Sequence, residues 1–304
     1  MMHYSVLKNE LIDALCIRDD GIYVDATLGY AGDSEELLKK IPNGYLYAFD
    51  QDINAIEYSD NVLSKISNNY KLFNSNFVNI KALLNSVGVD KIDGIIFDLG
   101  FSSPQIDDAK RGFSFMHDGP LDMRMSNNGE SAKDIIDNYS EEKLTEIFFK
   151  YGEEKLSRNI AKKIKENSKI INTTLELVEV IKSAVGANYF YKNHPERKIF
   201  QALRIEVNHE LDVLEKVLPE VLEMLNVGGR CAVITFHSLE DKIVKNIFRE
   251  KSEVNEIFKG LPNIPDIYKP LVKIVNKKVI LPSEKELEEN SRSASAKLRI
   301  VERI

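Results

Sequence analysis

Four aspartates in the first hundred residues occupy positions where a chain can do chemistry. Asp25 and Asp33 bracket the run VDATLGYAGDS (24–34), Asp50 closes YLYAFD (45–50) and Asp98 closes IDGIIFD (92–98). A glycine-bearing turn between a β-rich run and a helix lets a ligand approach the backbone, and the amides at a helix start ordinarily favour an anion there. Here carboxylates flank the turn, so a cationic ligand suits it better than a pyrophosphate. With only Gly29 and Gly32, the turn misses the G-x-G-x-x-G pattern, and an ordinary tight loop would look the same. Asp50 follows at about the twenty-residue spacing where a carboxylate accepts both hydroxyls of an adenosine ribose. A cation joined to adenosine describes S-adenosylmethionine. Asp33-Ser-Glu-Glu36 also reads as a capping box, which needs no ligand, and the two roles can coexist.

Asp98 leads into Leu-Gly100-Phe-Ser102-Ser103-Pro104-Gln105, a small polar turn. An exocyclic amine conjugated to a ring keeps its lone pair in the π system. Oxygens that accept its N–H bonds favour pyramidalisation and free that pair for attack on a sulfonium methyl. Asp98 is the candidate to orient such an amine, with the backbone carbonyls of Ser102, Ser103 and Pro104 as further acceptors. A Ser-Pro loop that merely closes a strand is the plain alternative.

The elements that must position these residues alternate. Ile22–Asp25, Tyr45–Asp50, Tyr70–Phe73 and Ile92–Asp98 read as strands, and Ser34–Ile41, Asn54–Ile66 and Val78–Val87 carry apolar residues at helical spacing. That order predicts an α/β fold, a doubly wound parallel sheet with right-handed crossovers and helices on both faces. A fifth strand is expected at Gly229–Phe236, after a helix over Val213–Leu225 and a turn at Asn226–Gly229. The 131 residues from Asp98 to Gly229 far exceed the ~30 of one β–α–β crossover. The surplus carries helical stretches at Glu141–Lys150, Glu154–Glu166 and Leu175–Val185. The expected organisation is therefore a core over 1–105, an inserted helical subdomain over 106–205 and a return to the core over 206–304. A helix over Leu239–Arg249, a loop with Pro262, Pro265 and Pro270, and a terminal hairpin of Val272–Leu281 and Lys297–Arg303 complete the reading. The run SEKELEEN (283–290) is expected as a solvated loop or short helix.

The chain has 304 residues, 43% of them hydrophobic, and a formal net charge of −7, a soluble composition that excludes disorder as the main state. No apolar run reaches the ~18 residues of a membrane span, and MMHYSVLKNELIDAL lacks the plan of a signal peptide, so a cytoplasmic location is expected. Cys16 and Cys231 cannot make a disulfide framework or a four-ligand zinc site and read as two buried thiols. His3, His117, His194, His209 and His237 show no metal-ligand spacing, and no metal is implied.

Five separated blocks, DLGFSSPQ (98–105), RGFSF (111–115), DGPLDMRM (118–125), FQALRIEVN (200–208) and FHSLEDKIVK (236–245), together resemble the bacterial methyltransferases that modify N4 of a cytosine in 16S ribosomal RNA, the RsmH/MraW family. The resemblance runs from HYSVL (3–7) to RSASAKLRIVER (292–303). It implies a class I S-adenosylmethionine-dependent methyltransferase core, Rossmann-like, with an inserted helical subdomain. Carried over by position, the cofactor contacts are Ala31, Gly32, Asp33, Asp50, Phe77, Asp98 and Gln105. The family usually has Gly-Gly-His where this chain has Ala31-Gly32-Asp33, which puts a side-chain contact at Asp33 in doubt and asks for a negative φ at Ala31.

On the acceptor side, Phe113, Phe115, Met116, Met123 and Arg124 could stack on an unpaired base and hold a phosphate, or could dock the insert; docking is the expectation for Met116 and Met123. Lys192, His194, Arg197, Lys198 and Arg204 form a basic cluster in an acidic chain, either a phosphate track or a solvated helix face. His237 is a candidate contact to the target nucleotide, beside a cap formed by Ser238 with Asp241. The expected substrate is 16S ribosomal RNA, probed as an assembled small subunit more readily than as naked RNA because the chain is acidic. Two rivals remain: an NAD-dependent oxidoreductase, and a non-catalytic RNA-binding assembly factor with a relic cofactor pocket.

Overall fold

The computed structural model describes residues 5–126, 128–254, 256–258, 263–265 and 268–304. His3 and Tyr4 of HYSVL (3–7), and Pro262, lie outside them. The chain divides into two compact units, one running to Gly100 and resuming at Leu211, the other Phe101–Glu210.

The first unit is a seven-stranded sheet with order β3-β2-β1-β4-β5-β7-β6. Its strands are β1 (Ile22–Asp25), β2 (Tyr45–Asp50), β3 (Tyr70–Asn74), β4 (Ile92–Asp98), β5 (Leu225–Thr235), β6 (Val272–Ile274) and β7 (Lys297–Arg303). The first five pair in parallel and β7 runs antiparallel between β5 and β6. This is the class I methyltransferase sheet, with the terminal hairpin at its edge. The expected long strand Val272–Leu281 is shorter: only Val272–Ile274 pairs as a strand, and Ile280 rejoins Leu298 through an isolated bridge. β5 begins earlier than expected, at Leu225, but its pairing with β4 jumps from Ile92–Leu225 to Gly94–Arg230. The intervening residues bulge outward around Gly228 (φ 83°) with Val227 exposed, so the turn read at 226–229 is an excursion within the strand.

Helices fill both faces because alternate strand residues point to opposite sides. On one face Val24, Phe49, Ile95, Phe97 and Val233 pack against α4 (Ile80–Ser86), α12 (Glu210–Met224) and α13 (Ser238–Ser252). On the other, Tyr23, Ala48, Ile96 and Ile234 pack against α1 (Lys8–Ala14), α2 (Gly32–Lys40) and α3 (Ile53–Leu63). The register places Asp25 opposite Ala48 and Ile96. Asp50 and Asp98 lie two residues beyond those partners, so all three aspartates share the second face at the carboxyl ends of three adjacent strands. α14 (Glu284–Glu289) is the short acidic helix expected over 283–290, and its Glu286 accepts a bond from the Leu7 amide. Cys231 is buried, as expected; Cys16 is exposed, because the chain leaves α1 there in a left-handed turn (φ 47°).

The second unit contains seven helices among its described residues: α5 (Ser103–Asp107), α6 (Ala132–Asn138), α7 (Glu141–Lys150), α8 (Ser157–Asn167), α9 (Thr174–Val185), α10 (Ala187–Asn193) and α11 (Pro195–Asn208). Leu144, Ile147, Phe148, Ile160, Ile164, Leu177, Ile181, Ile199 and Leu203 are buried among them at helical spacing. No helix among the described residues is long and apolar enough to cross a membrane.

The RGFSF block folds back on DGPLDMRM through Gly112. That glycine has φ 70°, and a Cβ there would lie 2.1 Å from the Pro120 carbonyl oxygen. Backbone on both sides leaves nothing that can yield. Gly112→Ala combines a left-handed penalty of about 1–2 kcal/mol with an overpacking cost of about 1–3 kcal/mol. We expect the denaturant midpoint to fall accordingly, by about 2–5 kcal/mol in unfolding free energy; a native midpoint would refute the close approach.

Candidate functional site

The site grows from the carboxyl ends of β1, β2 and β4. Asp25 is fully buried, its carboxylate accepting the Ser34 hydroxyl at 2.6 Å and the Thr27 amide at 3.0 Å. The Thr27 hydroxyl in turn accepts the Asp98 amide at 2.7 Å, which ties the loop after β1 to the end of β4. Asp50 accepts the amides of Gly29 and Asp52, each at 2.8 Å, one per oxygen. Each oxygen keeps a lone pair, so the pair of ribose hydroxyls can still be accepted.

α2 opens at Gly32 with Ala31 as its N-cap, φ 64°, and no side-chain cap bond. The negative φ expected of Ala31 is thus corrected: the residue is left-handed, because the loop must turn sharply from β1 into α2, and it is buried there. Gly32 lies close against Ser5: a Cβ would come within 2.1 Å of the Ser5 hydroxyl oxygen, a clash that rotation of that side chain would have to relieve. The capping box read at Asp33 is also corrected. Asp33 already lies inside the first turn, it is buried, and its Oδ1 has no hydrogen-bond partner.

Asp98 is the second such group, with a buried Oδ1 lacking a partner. Burial pushes the Asp25 carboxyl up to about 6 and that of Asp50 to about 7. Burial and the neighbouring Asp25 charge push Asp33 up to about 7, against the pull of Lys8. Asp98 is raised well above the usual carboxylate range by burial and then by Asp33, Asp25 and Glu240. Two unpartnered carboxyl oxygens among four crowded acids fit a cationic ligand, as an adenosine bearing a sulfonium and an ammonium would be. Phe77 follows β3 in a short 3-10 turn, edge-on to Phe97 with ring centroids 5.6 Å apart.

A family model of the MraW methylase family matches residues 1–304, the whole chain. The chain belongs to the MraW methylase family. S-adenosylmethionine is its cofactor. Among solved structures it is similar to an rRNA methylase from Streptococcus thermophilus, at 14% identity and TM-score 0.42, covering 100% of this chain and 99% of that one. A Streptococcus mutans protein solved in complex with SAH shares 14% identity over 100% of both chains, TM-score 0.44. A methyltransferase homologue from Pyrococcus horikoshii shares 13%, covering 98% of this chain and 66% of that one, TM-score 0.43.

The cap before α13 differs from the expected Ser238–Asp241 pair. His237 is the N-cap of this MraW methylase's α13, and Glu240 accepts the amides of Phe236 at 2.8 Å and His237 at 3.3 Å. Asp241 instead takes a two-pronged bond from Arg299 on β7, at 2.7 and 3.1 Å. The His237 Nε2 lies 3.1 Å from Glu240 Oε1, though not in hydrogen-bonding alignment. Glu240, Ser34 and Thr27 were not singled out in the sequence; the His-x-x-Glu spacing after a strand was the available signal for Glu240.

In the second unit, the expected open turn over 102–105 is the start of α5. Ser102 is its N-cap, Ser103 and Pro104 are its first two residues, and the buried Gln105 accepts the Ser102 amide through Oε1 at 3.0 Å. The carbonyls of Ser102 and Pro104 are engaged by the amides of Gln105 and Asp108. Phe115 packs edge-on to Phe200 beneath Arg197, whose guanidinium stands 5.8 Å from the ring centre. Arg124 is held by Asp122 through two 2.8 Å bonds. Met123 is buried, but Met116 is 72% exposed, so the docking expected of Met116 is not what its side chain does within this unit.

The basic cluster divides. Arg204 is bound by Glu210 at 2.8 and 3.0 Å and stacks over Phe101, and Lys198 lies 3.1 Å from the buried Glu154, which also accepts the Tyr189 hydroxyl. These two are spent on internal charge and are corrected as members of an open phosphate track. Lys192 and Arg197 are exposed and without an ion-pair partner among the described residues.

Two outcomes follow. Lys198→Ala leaves Glu154 buried with less neutralisation and is expected to cost about 1–2 kcal/mol of stability, small because the lysine is a third exposed, whereas Arg197→Ala costs about 0.5 or less. Equal thermal midpoints for the two variants would count against the division. The second concerns pH. A carboxyl whose pKa is raised on folding binds its proton more tightly in the native state, so its contribution to stability declines as pH climbs from about 4 to about 7. Relative to native protein, Asp33→Asn is therefore expected to be more favourable at pH 8 than at pH 5 by on the order of 2 kcal/mol, read from paired denaturant curves.

Proposed function

We propose that this chain transfers a methyl group from S-adenosylmethionine to the exocyclic N4 amine of a cytosine in 16S ribosomal RNA. Membership of the MraW methylase family supports ribosomal RNA as the methylated molecule. The observation that carries the chemistry is the pair of buried, unpartnered oxygens on Asp33 and Asp98 among four acids. The bound cofactor supplies an electrophilic methyl on a positively charged sulfur.

Asp50 holds the ribose hydroxyls, and the Ala31-Gly32 backbone with Asp33 holds the amino-acid end. Phe77 borders the adenine. A positive charge held beside Asp25, Asp33 and Asp98 would favour their ionised forms, and the Asp98 carboxylate would be the acceptor. It then accepts an N4–H bond, orients the amine and favours its pyramidal form. With the Ser102 and Pro104 carbonyls engaged, Asp98 carries this role, while Ser103 and Gln105 shape the start of α5. The methylated amine is acidic at the moment of transfer and can release its proton to water. Phe115 and Arg197 offer a ring and a charge to RNA, with Lys192 as a phosphate contact, while the His237 ring is used as the cap of α13 and supports this edge of the site rather than touching the nucleotide. Arg124, Lys198 and Arg204 stiffen the unit that presents them.

Mass spectrometry of small-subunit RNA from a deletion strain tests this. Purified protein with S-adenosylmethionine is expected to convert one cytosine to N4-methylcytosine, and Asp98→Asn to lower turnover by about 10²-fold or more. The net charge of −7 favours an assembled particle as substrate. Faster modification of protein-free RNA would contradict that part, and methylation at another atom would contradict the whole.

A further inference from the structure

The α9–α10 corner presents an aromatic residue that the methyl-transfer chemistry does not use. Tyr191 is 63% exposed although its neighbour Phe190 is buried. The two rings meet edge to face, centroids 5.5 Å apart, and the Lys182 ammonium sits 5.4 Å from the Tyr191 centroid and 5.9 Å from that of Phe190. The buried ring anchors Tyr191 and the lysine flanks it, so its orientation is set before anything binds. From Glu179 to Lys198 the chain carries Lys182, Lys192, Arg197 and Lys198 against Glu179 and Glu196, a local balance of 4 − 2 = +2 in a chain of −7. Lys198 is used internally, which leaves Lys182, Lys192 and Arg197 at the surface.

A pre-set aromatic face among cations recognises an unpaired nucleobase with its phosphates, because every base has a π face and every linkage a negative charge. We propose that Tyr191 is a stacking platform for an unpaired base of the RNA substrate, with Lys182 and Lys192 holding the flanking phosphates. This rests on the RNA reading above and adds a contact remote from the methylated base.

The test is fluorescence anisotropy with a labelled, unstructured cytidine-rich RNA, alongside calorimetry with S-adenosylmethionine. Tyr191→Ala is expected to weaken RNA binding about tenfold, Tyr191→Phe to retain it, and both to bind cofactor as the native protein does. Lys192→Ala is expected to flatten the salt dependence of binding by about one unit of slope in log K against log salt. Native affinity in Tyr191→Ala, while the native protein still methylates RNA, overturns the platform and leaves the methyltransferase reading intact. No binding of this RNA by the native protein overturns the platform, while the methyltransferase reading stands or falls on the mass spectrometry of small-subunit RNA. A change of oligomeric state in Tyr191→Ala on sedimentation, with RNA affinity unchanged, would assign the surface to a second copy of the chain and also overturn the platform.

Discussion

The structure depends on crowding four acids at one sheet edge with little positive charge to offset them, Lys8 beside Asp33 being the cation that acts there. Asp25, Asp50 and Asp98 emerge from three adjacent strands on one face of the sheet, and Asp33 joins them from α2. Isolated charges in such a setting are costly, which is why all four carboxyls hold their protons to unusually high pH. The surrounding fold must therefore be rigid without help from the site. Two apolar layers supply that rigidity, and amide and hydroxyl donors at Gly29, Asp52, Thr27 and Ser34 fix Asp25 and Asp50. Asp33 and Asp98 are left with an oxygen each for a ligand. A cation entering such a place gains twice, from attraction and from relief of repulsion among the acids.

The loop that departs from the family pattern shows how closely backbone and charge are linked. Ala31 in the left-handed region costs roughly 1–2 kcal/mol, and burying its methyl returns only about 0.8 kcal/mol, so the alanine is strained on balance. What the strained turn achieves is placement. It starts α2 at Gly32, lets Ser5 lie directly against that glycine, and brings Asp33 into the first helical turn with its side chain buried. A helix N-terminus tolerates a carboxylate well, which softens the penalty of adding a fourth acid. Lys8 from α1 softens it further.

Most of the sheet could be read from the chain because buried parallel strands are short β-branched or aromatic runs and the crossovers carry helical periodicity; Ile22–Asp25, Tyr45–Asp50 and Ile92–Asp98 match to the residue. Three features resisted for physical reasons. The sign of φ at Ala31 is set by the path between β1 and α2, which local composition does not encode. Cap identity at 237–241 depends on which side chain turns back, and Asp241 was taken by Arg299, a partner 58 residues away. The basic cluster mixed two populations, because Glu154 and Glu210, distant in sequence from Lys198 and close to Arg204, claim those cations only once the helices pack. Asp98 and Asp50 were legible since a strand's last residue needs no tertiary detail to be placed at the ligand edge.

That division of the cations bears on how an acidic chain can meet RNA at all. Long-range attraction is weak when the body carries a net −7, so recognition must come from short-range contacts that salt screens less. A protein using many phosphate contacts would show steep salt dependence; one using two or three would show a shallow one, and would need stacking to supply the rest. The second unit has that character. Its paired cations, Arg124, Lys198 and Arg204, hold helices and loops in place, and its unpaired ones lie beside rings, Arg197 over Phe115 and Lys182 beside Tyr191. Charge next to an exposed π face discriminates an unpaired nucleotide from a regular duplex, whose bases are already stacked. On the reading proposed above, selectivity for structure over mere polyanion follows from the acidic balance and is not an obstacle set against it.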